Sequence, residues 1–417
     1  MTPAESSVVV IGGGIIGVCC ALYLQQAGFA VTVLDPAEPG SNTSFGAAGN
    51  FGGNAHFSIP GILWKIPKML ADPLHPFSLR FRDLPTLLPW FREYMACAEP
   101  GRAAAIADAA RRLGEGVYER YVALLTEAGE PGLITKRGRL FVWTTDPGFQ
   151  RDQYGLEYRR KQGIQLDILT GEQVREMEPT IGPIVRHGAY AADAGHILNP
   201  FRLVTVLAGL FTRKGGTILR EEVRAIRFAA DGAPEIETDR ATHRPAQAVL
   251  AAGIWSRRIA ERLGIHIPLV AERGYHAMLA NPGIDMRIST LWEERKVIFT
   301  PMEHGLRASG IAEFADPDAK PRWRFADLVA RTARELFPGL NPSETTRWMG
   351  RRPVTPDYLP VIGRSPRNPR LIFAFGHGHS GFHLGPSTGN LVAQIAADRT
   401  PNMDMAAFRA ERWDRAA

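Results

Sequence analysis

A glycine-rich turn near the N-terminus, Gly12-x-Gly14-x-x-Gly17, constrains the fold of this chain more than any other feature of its sequence. The turn follows an apolar run at 8–11 and precedes an apolar stretch from about Ile15 to Ala27. In such a context the first glycine permits a tight turn, the second lets a ligand approach the backbone, and the third allows close packing of helix on strand. The spacing therefore predicts the opening of a doubly wound parallel sheet.

The next predicted strand, 30–34, ends at Asp35, where dinucleotide-binding folds place a carboxylate that binds the ribose hydroxyls. The N–H groups at the start of the predicted helix, including those of Ile15 and Ile16, are suited to a pyrophosphate, and the helix dipole favours its negative charge. We interpret the unit as a dinucleotide site. The alternative is a strand–helix turn with a solvent-facing Asp35, and the unit by itself suits NAD and FAD equally.

Three later segments distinguish these two cofactors. Residues 41–53 are rich in small and hydroxyl side chains, which suits backbone close to an extended ligand, although a flexible loop has a similar composition. Residues 248–255 have the pattern of a buried strand ending in a small-residue turn, and 376–381 (Gly-His-Gly-His-Ser-Gly) lie between a predicted strand and a predicted helix. A reduced flavin carries negative charge that a second helix N-terminus stabilises, whereas an NAD domain has no need of one. The pattern favours FAD.

The bulk properties of the chain exclude several classes of protein. At 417 residues it exceeds the usual size of one domain. Its net charge of +6 is scattered, without a basic run or a nucleic-acid module, and suits anionic substrates, phosphates or acidic lipid. The three cysteines form neither a disulfide framework nor a metal-ligand pattern. The N-terminal apolar stretch lacks a basic leader and contains helix-breaking glycines, so we expect a cytoplasmic protein.

The amino-acid composition changes after the glycine-rich N-terminal region. Residues 60–100 combine prolines with short apolar, Trp-containing pieces, which indicates either a packed lid or a surface that contacts a quinone-containing membrane. A long helical pattern extends from about Ala103 to Ala128. Residues 217–226 have the pattern of one strand, and 273–280 and 297–311 alternate like exposed antiparallel strands.

The glycine loops, together with the segment 350–363 (Gly-Arg-Arg-Pro-Val-Thr-Pro-Asp-Tyr-Leu-Pro-Val-Ile-Gly), resemble the D-amino acid oxidase/glycine oxidase (DAO) superfamily of FAD-dependent oxidoreductases. Within it the likeness is greatest to bacterial D-amino acid dehydrogenases, and it covers nearly the whole chain. It implies an α/β fold (α+β overall), in which a Rossmann-type FAD-binding domain is interleaved with a mixed-sheet substrate domain. The boundaries that it implies are 1–55, 145–267 and 346–417 for the FAD-binding domain, and 56–144 and 268–345 for the substrate domain.

The resemblance also implies which residues bind FAD. They are Gly12, Gly14, Ile15, Ile16, Gly17, Asp35, Ser44, Ala48, Gly49, Val223, Ala252, Gly253, Trp255, Gly376, His377, Gly378, His379, Ser380 and Gly381. Relatives with a covalent flavin carry a cysteine just before the Thr-Pro-Asp motif, where this chain has Gly350 and no cysteine nearby. We therefore expect noncovalent FAD.

Arg352 matches the family arginine that binds the substrate carboxylate. A planar guanidinium makes two parallel charge-assisted hydrogen bonds to a carboxylate, and the adjacent Pro353 stiffens the chain that carries it. The alternative is that Arg352, or its neighbour Arg351, is a surface charge. By physical type alone the arginine suits an acidic substrate group.

Three further residues are predicted in the active site. Tyr275 and His56 are candidates for the substrate pocket, and we assign catalytic roles to Tyr275, to His377 and to Arg352 itself. For Tyr275 an equally good alternative is a strand residue that packs on the substrate domain. The histidines of 376–383 lie in a glycine-rich loop without a cysteine or carboxylate cluster, so no metal site is expected.

The resemblance, together with these residues, implies an FAD-dependent D-amino acid dehydrogenase of amino acid catabolism. It would transfer a hydride from Cα of a small amino or cyclic imino acid, such as a D-hydroxyproline, to flavin N5. The imine product hydrolyses to the 2-oxo acid or, if cyclic, remains an imine. Electrons would pass to a quinone or another carrier.

Two alternatives and two partner questions stay open. One alternative is an oxidase of the glycine or sarcosine type that uses oxygen, although Arg307 stands where sarcosine-oxidase-like members have a lysine. The other is a flavin-binding electron-transfer subunit of a larger complex. Homo-oligomer formation and peripheral contact with the inner face of a membrane are compatible with the sequence, and nucleic acid is not an expected partner.

Overall fold

Two large β-sheets, one six-stranded and one nine-stranded, organise the chain in a computed structural model that describes residues 6–52 and 76–413. Two three-stranded sheets accompany them. The strands, in chain order, are β1 (Ser7–Ile11), β2 (Ala30–Leu34), β3 (Asn50–Phe51), β4 (Phe77–Leu79), β5 (Ile134–Thr135), β6 (Arg139–Trp143), β7 (Asp167–Thr170), β8 (His187–Ala191), β9 (Gly195–Ile197), β10 (Thr217–Leu219), β11 (Val223–Phe228), β12 (Pro234–Thr238), β13 (Thr242–His243), β14 (Gln247–Leu250), β15 (Val270–Ala280), β16 (Ser289–Trp292), β17 (Val297–Met302), β18 (Gly305–Phe314), β19 (Glu344–Val354), β20 (Val361–Arg364) and β21 (Leu371–Phe375).

The α-helices pack on the faces of these sheets. They are α1 (Ile15–Gln26), α2 (Leu84–Cys97), α3 (Pro100–Gly114), α4 (Val117–Ala128), α5 (Asp146–Arg151), α6 (Gln153–Lys161), α7 (Gly171–Met177), α8 (Pro200–Arg213), α9 (Ser256–Arg262), α10 (Arg324–Leu336) and α11 (Gly381–Ala396). Short 3₁₀ turns occupy Phe81–Asp83, Pro131–Leu133, Gly253–Trp255, Gly378–Ser380, Ala406–Phe408 and Ala410–Trp413.

The six-stranded sheet has the order β10-β2-β1-β14-β21-β20 and is parallel except for β20. Its two faces bury separate clusters of apolar side chains, one against α1, α8 and α11 and the other against α9 and the β11-β12-β13 sheet. Because both faces are covered, the strands are nearly continuous in apolar residues. The carboxyl ends of β1, β14 and β21 meet at one edge, where loops can form a ligand site.

The nine-stranded sheet is mixed and has the order β19-β15-β18-β17-β16-β6-β8-β7, with β4 paired to β18. Helix α10 packs on one of its faces, where Phe325 and Val329 contact the buried side chains of the long central strands. Strands β15 and β19 pair antiparallel over eleven residue pairs, and this register sets Glu272 opposite Arg352. That pairing fixes the chemistry of one wall of the site described below.

The predicted mixed α/β architecture is confirmed, and the first β-α-β unit lies where the sequence predicted it. Two predicted elements were wrong in extent. The helix predicted over 103–128 is two helices, because Gly116 between them adopts a left-handed backbone (φ +66°). The strand predicted over 217–226 is divided between two sheets as β10 and β11. The antiparallel strands predicted within 297–311 are confirmed as the hairpin of β17 and β18, but most of their residues are buried and not exposed.

The described part of the Trp- and Pro-rich segment packs against the rest of the chain. Trp90, Phe91 and Tyr94, on one face of α2, are buried with Phe314 of β18, and the indole N–H of Trp90 donates to the Val354 carbonyl over 3.1 Å. Residues 53–75, which include the predicted pocket residue His56, lie outside the described residues. Among the residues that are described, no helix is both long enough and apolar enough to cross a membrane.

Candidate active site

One cavity of about 1380 Å³ lies where the edge of the six-stranded sheet meets the nine-stranded sheet. Gly12, Gly253 and Gly376 line it from the first sheet, and Ser309 and Arg352 line it from the second. The volume exceeds the roughly 300–1,000 Å³ of a pocket for one drug-sized ligand. It suits a large cofactor together with a small substrate.

The turn after β1 is shaped for contact between backbone and ligand. Gly12 has φ +113°, and a Cβ atom there would lie 2.5 Å from the Ala251 carbonyl oxygen, so only glycine fits. A Cβ at Gly17 would lie 1.8 Å from the Gly12 oxygen, which explains the close approach of α1 to β1. The residue that caps α1 is Gly14, which offers no side chain to the first turn. Apart from the Ile15 N–H, which donates to Ser44, the N-terminus of α1 therefore presents backbone N–H groups at the cavity without a capping side chain from Gly14.

Asp35, at the end of β2, orders this turn from the side. Its carboxylate accepts hydrogen bonds from the Gly13 N–H (2.7 Å) and from the Ala37 N–H (2.8 Å). Burial raises the pKa of Asp35, and the two backbone hydrogen bonds oppose that increase. The side chain lines the cavity and is positioned to accept a hydrogen bond from a ligand hydroxyl.

The small-residue loop before β3 closes the middle of the cavity. The Ser44 Oγ accepts a hydrogen bond from the Ile15 N–H over 3.1 Å and thereby joins this loop to α1. From the other side, the buried Arg307 donates through Nη1 to the carbonyls of Ala47 (2.6 Å) and Phe45 (3.3 Å). Arg307 thus holds the loop and does not line the cavity.

The loop 376–381 borders the cavity beside the end of β19. A backbone bridge joins Val354 to His377 and sets the loop next to Arg352. His377 is buried, and its Nε2 lies 2.9 Å from the Thr388 Oγ1. Burial lowers its pKa to about 3, so its ring stays neutral.

Arg352 is held at one edge and open at the other. Its Nη1 donates to the Glu272 Oε1 (2.7 Å) and to the Ile311 carbonyl (2.9 Å). Within the described part of the chain, Nη2 and Nε make no hydrogen bond, and Nη2 lies over Gly274 at the cavity wall. Arg351, the preceding residue in the strand, does not line the cavity, and its guanidinium lies over the ring of Trp255, 5.9 Å from the ring centroid.

The backbone at Ile311 is strained at this contact. Ile311 has φ +68°, which is rare for a β-branched residue, and it lies at an irregularity in the pairing of β15 with β18. The unusual conformation turns its carbonyl to Arg352. Strain of this kind costs about 1–3 kcal/mol and is typical of functional sites.

Glu272 is the centre of a buried polar cluster. It is 1% exposed, and its carboxylate contacts Arg352, the Tyr358 hydroxyl (3.1 Å) and the His379 Nε2 (2.8 Å). Burial acts to raise the pKa of Glu272, but the nearby His379 and Arg352 outweigh burial and lower that pKa to about 2. Glu272 is therefore ionised across the physiological range.

The sequence profile of the DAO family, described as FAD dependent oxidoreductase, matches residues 7–395. A D-amino-acid oxidase of Bradyrhizobium diazoefficiens is 32% identical over 99% of this chain and 100% of its own length. The chain belongs to the DAO family of FAD-dependent oxidoreductases.

Two further comparisons agree with that assignment. A D-amino acid dehydrogenase of Paramagnetospirillum magneticum is 30% identical over 97% of this chain and 98% of its own. The crystal structure of glycine oxidase from Geobacillus kaustophilus superposes with a TM-score of 0.76 at 22% identity, covering 97% of this chain and 98% of that one. The last similarity concerns the fold alone.

FAD, the cofactor of the DAO family, fits the residues of the cavity. The steric cradle at Gly12, the uncapped N-terminus of α1 and the Asp35 carboxylate suit the pyrophosphate and ribose of an adenosine diphosphate. The 376–381 loop, which directly precedes α11, borders the same cavity.

The structure brings nearly all of the predicted site residues to this one DAO-family cavity. Those that line it are Gly12, Gly14, Ile15, Ile16, Asp35, Ser44, Ala48, Gly49, Val223, Ala252, Gly253, Trp255, Tyr275, Arg352, Gly376, His377, Gly378, His379, Ser380 and Gly381. Gly17 does not line it and instead packs α1 on β1.

The hydroxyl of Tyr275 is engaged away from a ligand. It donates to the Glu313 carboxylate (2.5 Å) and accepts from the Arg322 N–H (3.0 Å), within a buried cluster that includes Arg273. Burial is the main reason that the pKa of Tyr275 rises to about 12, so the hydroxyl keeps its proton. Only the ring of Tyr275 is available to a substrate, and its predicted catalytic role stays a prediction.

Sequence reasoning missed Glu272, Tyr358 and an aromatic wall. Glu272 was overlooked because the strand was predicted to begin one residue later, at Arg273, whereas β15 begins at Val270. An acidic residue inside a buried strand was the available signal. The wall consists of Phe77, Trp90, Phe91, Tyr94, Phe314 and Tyr358, all of which line the cavity.

Proposed function

We propose that this protein oxidises a small α-amino or α-imino acid, and that Arg352 binds the substrate carboxylate beside the 376–381 loop. One observation carries the proposal. The guanidinium of Arg352 is fixed at one edge by Glu272 and by the Ile311 carbonyl, and its remaining nitrogens face the cavity. A prearranged guanidinium edge is suited to a carboxylate because it forms parallel charge-assisted hydrogen bonds at little entropic cost.

The aromatic wall sets the kind of side chain that the site accepts. Its rings, including those of Trp90 and Tyr94 stacked 5.5 Å apart, form a rigid apolar surface that excludes water. Such a surface favours an apolar or cyclic side chain and disfavours a charged one. A cyclic imino acid, such as a D-hydroxyproline, is therefore a candidate substrate alongside small apolar amino acids.

The residues predicted to bind FAD could hold it along this cavity. Asp35 would accept hydrogen bonds from the ribose hydroxyls, the N-terminus of α1 would bind the pyrophosphate, and the loops at 44–49, 252–255 and 376–381 would hold the flavin. Bound FAD would supply a two-electron acceptor for the hydride of the substrate Cα. All three cysteines are buried away from the cavity, which supports noncovalent binding.

We further propose that the substrate is a D-enantiomer and that the electron acceptor is a carrier other than oxygen. The two relatives from Bradyrhizobium diazoefficiens and Paramagnetospirillum magneticum are named for D-amino acids, which supports a D-substrate. Arg307, where sarcosine-oxidase-like members have a lysine, is occupied with loop carbonyls and does not reach the cavity, which supports a dehydrogenase that uses a carrier. The oxidase name of one relative favours oxygen as the alternative acceptor.

Anaerobic reduction of the FAD-bound protein tests the function. D- and L-enantiomers of alanine, proline and phenylalanine are mixed with the protein without oxygen, and loss of the flavin absorbance is followed. We expect fast bleaching by D-enantiomers, then slow recovery in air and fast recovery with a soluble quinone. Rapid recovery in air with peroxide release would make the protein an oxidase, and no bleaching by any amino acid would favour an electron-transfer subunit.

A further inference from the structure

The two histidines of the 376–381 loop differ in their surroundings. His377 is buried and contacts Thr388, as described above. His379 lines the cavity with a side chain that is 49% exposed, and its ring stacks on Tyr358 with centroids 5.9 Å apart. The side chain of His379 is therefore much more accessible to a ligand than that of the buried His377.

Glu272 determines which nitrogen of His379 carries the proton in the neutral ring. The ionised carboxylate can only accept hydrogen bonds, and it lies 2.8 Å from Nε2. Nε2 is therefore protonated, and Nδ1 on the other side of the ring has its lone pair free to accept a proton. Within the described residues no hydrogen-bond partner contacts Nδ1. The charged and titratable groups that face this ring are Glu272 from β15, Arg352 from β19 and Tyr358.

The same carboxylate oxygen brings His379 and Arg352 together. Oε1 of Glu272 contacts both the Arg352 Nη1 (2.7 Å) and the His379 Nε2 (2.8 Å). An α-amino acid carries its carboxylate and its nitrogen on one carbon. A substrate whose carboxylate binds the open edge of Arg352 thus brings its ammonium group into the neighbourhood of His379.

We infer that His379 is the proton acceptor for the substrate ammonium group, and that Glu272 is the positioning residue that orients it. This inference rests on the proposed function. An N–H bond of the ammonium breaks, its electron pair stays on nitrogen, and the proton binds to Nδ1 of His379. The neutral amine can then form the C=N bond as the Cα hydrogen leaves with its two electrons to FAD. An ammonium group has no lone pair for that bond, so removal of the proton is a requirement of the chemistry.

The pH dependence of flavin reduction at saturating substrate tests this assignment. The wild-type protein is compared with His379→Asn, with His379→Ala and with Glu272→Gln. We expect His379→Asn to lower the limiting rate at neutral pH by roughly 100-fold, as for loss of a general base, and to recover at alkaline pH, where the substrate amine loses its proton unaided. Added imidazole should restore part of the rate of His379→Ala. Glu272→Gln should lower the rate less and displace the pH profile.

The role of His379 and the oxidation of amino acids can fail independently, and different results show which of them has failed. If the wild type is bleached by amino acids and His379→Asn keeps both the wild-type rate and its pH profile, His379 is not the proton acceptor. If the His379 variants lose FAD, measured by flavin content and fluorescence titration, the residue belongs to cofactor binding and the inference is likewise overturned. If no amino acid bleaches the wild type at any pH, the proposed function itself fails.

Discussion

Glu272 and Arg352 face each other across strands β15 and β19, with the Nη1 nitrogen 2.7 Å from the carboxylate oxygen. Glu272 binds only the Nη1 nitrogen of the guanidinium, and this contact fixes the direction in which Nη2 and Nε point. The open edge therefore points at the cavity before any substrate arrives, which lowers the entropic cost of binding. Directly opposite residues in antiparallel strands project on the same face of a sheet, so the pair follows from the register.

Loss of the Arg352 side chain should weaken substrate binding and leave FAD in place. We expect Arg352→Ala to lower kcat/KM by a factor that corresponds to about 2–5 kcal/mol of lost transition-state stabilisation. The substrate carboxylate loses its charge-assisted partner, and the buried Glu272 loses the cation that pairs with it. Arg352→Lys should fall between this variant and the wild type, since it keeps the charge without the planar fork. Arg347→Ala, at a half-exposed arginine of the same strand that pairs with Asp327 and does not line the cavity, is the matched control and should behave as the wild type. Equal substrate affinity in Arg352→Ala would remove this residue from the site.

A change of one methyl group tests the orientation of the guanidinium. A Cβ at Gly274 would lie 2.1 Å from Nη2 of Arg352, so Gly274→Ala must displace that nitrogen. We expect kcat/KM to fall at least roughly tenfold with unchanged FAD content, because displacements near 1 Å cost about 100-fold in well-ordered sites. Gly132→Ala, where an added Cβ meets no atom within 4 Å, is the control. Unaltered kinetics of Gly274→Ala would mean that Nη2 does not bind substrate.

The glycine turn makes a separate prediction about FAD. At Gly12 an alanine would adopt a positive φ and would collide with the Ala251 carbonyl. Gly12→Ala should weaken FAD binding by more than roughly tenfold and should lower stability by about 1–3 kcal/mol. Flavin fluorescence titration and thermal unfolding report these two quantities. Gly101→Ala, in the first turn of α3 where an added Cβ meets no atom, is the control and should change neither quantity appreciably. If Gly12→Ala kept the wild-type affinity for FAD, the turn after β1 would not be part of the FAD site.

Stability should fall as the pH decreases below about 6.5. Burial lowers the pKa of His276 and His377 to about 3, and that of His196 and His383 to about 4. Between these pKa values and 6.5, each of these histidines is protonated in the unfolded chain and neutral in the folded chain. Each histidine therefore lowers the free energy of unfolding by about 1.4 kcal/mol for every unit by which the pH decreases in this range.

Thermal unfolding between pH 8 and pH 5.5 measures this effect. The variant His196→Gln should flatten the dependence, because one of the four buried imidazoles is gone. His304→Asn, at a side chain that is 74% exposed, is the control and should keep the wild-type slope. A melting temperature independent of pH over this range would show that these histidines are protonated in the folded protein.

The sequence predicted the parts of the molecule that depend on short-range pattern. The β1-α1-β2 unit and β21 follow from apolar runs and glycine spacing, and the cavity-lining glycines follow from the same motifs. The break at Gly116 was missed because helical periodicity on both sides concealed a single left-handed residue. The meeting of Glu272 with Arg352 was not predictable, because eighty residues separate them and only the register of β15 and β19 unites them.

A crystal structure of the FAD-bound protein with pyrrole-2-carboxylate, a planar and unreactive analogue of a cyclic imino acid, tests the central claim most directly. We predict that FAD extends from the N-terminus of α1 to the 376–381 loop, and that the ligand carboxylate lies within hydrogen-bond distance of Nη2 and Nε of Arg352. A flavin outside this cavity, or a carboxylate bound elsewhere while Arg352 stays free, would contradict it.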